Sequence, residues 1–190
     1  MNLERPARTE IQPPRRENSG PRTEPWLRGT LPDLPAEQRA VLHALQLARE
    51  DLQRCCAPLR EGELYVRPHG LASVSFHLRH IAGSLDRLLT YAEGDSLSEG
   101  QMRLLAAEQE ANGSKQELLA ELEQGLTSAE RRILAIAPAR WHESRNVGRK
   151  RLPTTVAGLL IHCADHTQRH VGQAVLTAKL LIALRETGSA

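Results

Sequence analysis

Aromatic residues are scarce: two tryptophans, two tyrosines and one phenylalanine account for 3% of the 190 residues. A core must therefore come from Leu, Ile, Val and Ala, a supply that favours helices over strands, where β-branched and aromatic side chains dominate. Cysteine is sparse as well. Cys55, Cys56 and Cys163 are odd in number and lack CxxC spacing, and the first two are adjacent, which is poor geometry for bridging each other. That excludes a disulfide scaffold and predicts a reducing, cytoplasmic setting. No run of 18 apolar residues occurs, so no membrane-spanning helix is predicted. The polar, Pro-rich start lacks the apolar stretch of a secretory signal. A net charge of +2 is too small for a nucleic-acid footprint, and Arg149-Lys150-Arg151 reads as a solvated loop. Neither nucleic acid nor membrane is an expected partner.

What is present fits one domain with an ordinary core, 40% hydrophobic and 25% charged. Residues 1–25 are rich in proline and charge and predict a flexible tail, because too little apolar surface is available to offset the entropy of ordering. The bundle domain is expected over residues 26–190, with Trp26 available to pack onto it. Apolar residues at helical spacing (Val41, Leu42, Leu45, Ala48, Leu52) predict a first helix from Pro35 to about Ala57, stopped by Pro58. A second helix runs from about Ser73, a good N-cap, to Glu93, where Gly94 ends it. A weaker helical stretch spans residues 98–110. Ser114 with Glu117 forms a capping box that opens the third long helix, which continues to Pro138. Residues 138–153 read as irregular and basic. Thr154 or Thr155 then caps a fourth long helix running to about Leu184. Four long helices predict an all-α, up-down four-helix bundle.

Eight histidines are present, and His162, His166 and His170 recur every fourth residue on the fourth helix. Four-residue steps rotate by only about 40°, so the three form one row, with neighbours about 6 Å apart along the axis. Two such imidazoles can converge on one ion. His77 and His80 lie three apart on the second helix, also on nearby faces. Any one histidine could equally be a surface or hydrogen-bonded core residue. The row, however, lies among Ile161, Val171 and Val175, where uncompensated imidazoles would be costly to bury. Metal binding removes that cost. A ferritin-like di-iron site is rejected because no glutamate stands three residues before a histidine, and a zincin is rejected because position 163 is Cys where HExxH needs Glu.

The segment SVSFHLRHIAGSLDRL (73–88), together with HTQRHVGQ (166–173), resembles the DinB-like superfamily, which includes the YfiT-type proteins. The resemblance covers roughly residues 26–184, with specific motifs only in those two segments. It implies a four-helix bundle with a three-histidine metal site, one ligand from the second helix and two from the fourth. Those positions are His80, His166 and His170 here. Many members carry two consecutive histidines followed by Arg-Gly-Gln; in this chain Arg169 precedes His170 and Val171 follows it, but the spacing of the ligand pair survives. His77, one turn from His80, is the alternative ligand. His162, His43 and Gln173 are candidates for lining the site, and Asp86, Asp165 and Gln173 for bonding imidazole N–H groups. Cys163 points about 100° away from His162 and reads as a small buried residue.

Three neutral histidines leave an ion's charge intact, so a water or thiol brought to it becomes more acidic. The expected cofactor is one divalent ion, which imidazole donors allow to be zinc, nickel or iron. The resemblance implies a low-molecular-weight thiol as well, and so a thiol-dependent S-transferase or isomerase acting on a small-molecule substrate. A metal-dependent hydrolase is the alternative, and a non-catalytic, stress-associated metal-binding bundle is the third reading. No glutamate falls on the histidine faces of the second and fourth helices, which leaves a hydrolase without its general base. The resemblance also implies a homodimer, to which Leu181, Ile182 and Leu184 could lend an apolar contact.

Overall fold

Helix boundaries fall where the chain's capping groups sit, within a computed structural model that describes residues 23–188. Helix α1 (Ala36–Cys56) starts after Pro35. In α2 (Val74–Glu93) the Ser73 hydroxyl accepts the Phe76 N–H at the start, and Gly94 takes the left-handed conformation (φ 103°) at the end. Short α3 (Glu99–Ala107) and long α4 (Lys115–Ala135) each open with a capping box, Ser98 with Gln101 and Ser114 with Glu117. Helix α5 (Val156–Glu186) opens on Thr155, whose hydroxyl accepts from the Gly158 N–H. These caps supply partners for orphan N–H groups that the first helical turn cannot satisfy itself.

Helix α1 packs on α5, α5 on α2 and α2 on α4, and a smaller α1–α4 contact closes the ring. Consecutive helices α1 and α2 therefore stand at opposite corners, and residues 57–73 carry the chain across the bundle. The interior is aliphatic, as the scarcity of aromatics requires. Leu45, Leu52, Leu78, Ile81, Leu85, Leu89, Leu126 and Ile133 are all fully buried. Helix α3 buries no residue and lies outside the ring, against α2. Among the described residues, no helix is long and apolar enough to cross a membrane.

Several expectations need correction. Residues 138–153 are not simply irregular: β1 (Ser144–Val147) pairs antiparallel with β2 (Leu152–Thr155), Ser144 opposite Thr155. The turn between them uses positive φ at Gly148 and Arg151. Arg145 donates to the Ala92 carbonyl and ties the hairpin to the end of α2. Strand β2 thus delivers Thr155 to its capping position. Trp26 does not pack onto the bundle; it is exposed, and its indole N–H donates to Glu24. The segment is anchored instead by buried Pro25 and by the Arg28–Glu50 ion pair. Leu181 faces the core, which removes it from any outer apolar contact. The expected tail lies outside the described residues except for residues 23–25.

Candidate metal centre

The site is built where α2 and α5 pack face to face, because that contact brings the histidine pair of one helix onto the histidine row of the other. One ring nitrogen from each of His80, His166 and His170 lies within 4.8 Å of the other two. His80 Nε2 and His166 Nε2 are 2.9 Å apart. Nitrogens bound tetrahedrally to one ion at about 2.1 Å lie about 3.4 Å apart, so side-chain adjustments suffice to close the set. Phe76 stacks on His80 with ring centroids 5.2 Å apart and covers one face of that imidazole.

The outer nitrogens are engaged too. His80 Nδ1 lies 2.6 Å from Glu108 Oε2, and Glu108 Oε1 accepts from Arg87 Nη1 at 2.8 Å. Burial alone would raise the Glu108 carboxyl, but the hydrogen bonds and charge from His80 and Arg87 hold it below its ordinary value. An ionised carboxylate only accepts, so the His80 proton sits on Nδ1 and the Nε2 lone pair faces the cluster. His77, almost fully buried, has its Nδ1 3.0 Å from Nδ1 of His170, leaving Nε2 as the free nitrogen of that ring.

Burial first, and then the neighbouring His80, push His77, His166 and His170 down to about 4. His77, His166 and His170 therefore stay neutral and keep their lone pairs, as donors to a divalent ion must. In the unfolded chain the same histidines titrate near 6.5, so between pH 6.5 and 4 the unfolded state takes up protons that the folded state refuses. Stability conferred by neutral His77, His166 and His170 is complete above about 6.5 and is lost as pH falls toward 4. Thermal melts of metal-free protein in chelator are expected to show Tm falling across that window. A Tm that is flat there would contradict this burial of neutral imidazoles.

Residues 44–174 match the DinB superfamily, a span that contains all three clustered histidines and Glu108. The chain belongs to the DinB superfamily. No curated protein matches it.

The remaining candidates of this DinB chain are scattered. His162 is exposed, with its ring beside His166 and its Nδ1 3.7 Å from Asp165. The apolar surroundings inferred for the row hold at its C-terminal end only, because Ile161 is 58% exposed whereas Val171 is buried. His43 is buried on α1 and hydrogen-bonds Thr30 rather than a cluster histidine. Gln173 is exposed, and Asp165 pairs with Arg169. Asp86 accepts from Arg132 and Gln101, so it reaches no imidazole. Cys163 is fully buried, and burial pushes its thiol up to about 12.

Glu108 escaped the sequence reading altogether. It stands at the C-terminal end of α3, 28 residues from His80 in sequence, and its side chain is only 6% exposed. No periodicity links the two residues. In sequence Glu108 falls within the weaker helical stretch of residues 98–110, with nothing to point it toward a histidine.

Proposed function

We propose that this DinB chain is a divalent-metal enzyme of the thiol-dependent S-transferase type, centred on His80, His166 and His170. The carrying observation is the converging histidine cluster, with an acceptor on the outer nitrogen of His80. When bound, the ion supplies the Lewis acidity that makes a thiol or water at its open position more acidic. The residues' own work is to present lone pairs inward. Glu108 fixes the tautomer of His80, and His77 occupies the outer nitrogen of His170. Phe76 shields His80 from solvent on one face.

The sulfur nucleophile would come from outside the chain. Cys163 is buried with a raised thiol, while Cys55 and Cys56 sit at the end of α1 beside Lys115. The hydrolase reading needs a base for water, and Glu108, the carboxylate at the cluster, is already committed to His80 and Arg87. A thiol, once ionised, attacks an electrophilic carbon without further help from a base.

The test uses cobalt(II)-loaded protein titrated with a low-molecular-weight thiol such as cysteine. A thiolate-to-cobalt charge-transfer band, and metal-dependent S-alkylation of that thiol by a small electrophile, are the expected results. Metal-dependent ester hydrolysis without thiol, and no such band, would overturn the transferase reading in favour of the hydrolase.

A further inference from the structure

A second cavity lies on the other side of Glu108. It occupies about 570 Å³ between α2, α3 and α4, and none of the clustered histidines lines it. Its volume falls in the range of small-molecule sites. Small residues of α2 and α4 (Ala82, Gly83, Gly125 and Ala129) form an apolar floor. Leu104 of α3 forms part of the wall and is 66% exposed, so the cavity explains an otherwise unpartnered leucine.

The charges around this floor are unbalanced. Four carboxylates (Asp86, Glu108, Glu110 and Glu121) face two guanidiniums, Arg79 and Arg132. Both guanidiniums are already committed. Arg132 holds Asp86 and Glu93, while Arg79 donates to the carbonyls of Glu110 and Asn112 and to the Asn112 side chain. Glu108 is held by Arg87 and His80. That leaves Glu110 with an amide donor from Asn112 and Glu121 with a long 3.4 Å contact to Arg79. An apolar floor beneath two weakly neutralised carboxylates selects a ligand with an apolar body and a cationic head.

We propose that this cavity binds a small organic cation, an ammonium on an apolar body, at a site separate from the metal centre and coupled to it through Glu108. The coupling is physical: the oxygen of Glu108 opposite His80 lies with Arg87 against Gly83, on the cavity floor. A Cβ added at Gly83 would approach Glu108 Oε1 to 2.7 Å. Anything that crowds this point disturbs the carboxylate that orients His80. Binding itself needs no metal, so it stands or falls independently of the transferase reading.

The probes are 4-phenylbutylamine and 4-phenylbutanoate, which share a body and differ in head charge, titrated into the full-length chain with and without zinc. The amine is expected to bind saturably and at least about tenfold more tightly than the carboxylate, a difference of one favourable against one unfavourable charge contact. Saturation is expected to shift the side-chain resonances of His80 and leave those of exposed His162 in place. Ser128→Phe, which fills the cavity from α4, should abolish binding, and Glu121→Gln, a surface change, should weaken it several-fold. Equal affinity for amine and carboxylate, no saturable binding of either, or full binding in a folded Ser128→Phe chain would overturn the site. Should Ser128→Phe not fold, unchanged amine affinity in Glu121→Gln overturns the charge selection instead. Amine binding without any change at His80 would overturn the coupling.

Discussion

Glu108→Ala is expected to lose about 3–5 kcal/mol of stability, the cost of stranding a buried cation when its partner is removed. Arg87 is the stranded group: its side chain is 11% exposed, and its Nη1 donates to Glu108. The same substitution frees His80 Nδ1, so the imidazole can rotate or shift its proton to the nitrogen that should face the ion. Loss of such an outer contact costs about 10–100-fold in metal affinity. Glu108→Gln separates the two effects. The amide oxygen can still accept from one neighbour, which keeps the fold closer to wild type, but the negative charge that pins the His80 tautomer is gone. The expected pattern is a large stability loss for Ala, a smaller one for Gln, and weakened metal binding in both. Chemical unfolding and metal titration against a competing chelator would read it. Wild-type affinity in a folded Gln variant would reduce Glu108 to a partner of Arg87 alone.

The second large effect concerns the seam between α2 and α4. A Cβ placed on Gly125 would come within 2.7 Å of the Ala82 Cβ and 3.0 Å of its Cα. Backbone lies directly behind the contact, so no flexible side chain can yield. Gly125→Leu is expected to push the helices apart at a cost of about 3 kcal/mol, the upper end for overpacking a close-packed interior. Ala82 lies two residues from His80, so the displacement is expected to loosen metal binding as well. Gly125→Ala should show a milder form of both changes. Denaturant midpoints that stay at the wild-type value in the Leu variant would mean the seam can open freely.

Much of this architecture is legible in local chemistry. Ser73, Ser114 and Thr155 announce helix starts because a side-chain oxygen before an apolar-periodic run has one obvious use. The histidine row at 162, 166 and 170 is legible for the same kind of reason, since helical geometry alone puts the three on one face. What local chemistry cannot supply is the partner across the bundle. Glu108 depends on the chain that follows α2 doubling back to set the end of α3 beside His80, and no spacing encodes that return. The hairpin of residues 144–155 was missed because two four-residue strands, one holding Arg145 and the other Pro153, carry little alternation. Ile161, expected among the apolar surroundings of the histidine row, lies on the outer face of α5 and is 58% exposed. Leu160 and Cys163 beside it are buried, so Ile161 points outward from a stretch of α5 that is packed on its other side.

The central claim, one divalent-metal site made by His80, His166 and His170, is tested most directly by metal content. Mass spectrometry of the reconstituted wild type is expected to find about one equivalent of a divalent ion, and folded His80→Ala, His166→Ala and His170→Ala chains are each expected to lose it, since removing one of three ligands breaks the set. Wild type that takes up no ion, or variants that keep a full equivalent, would contradict the account.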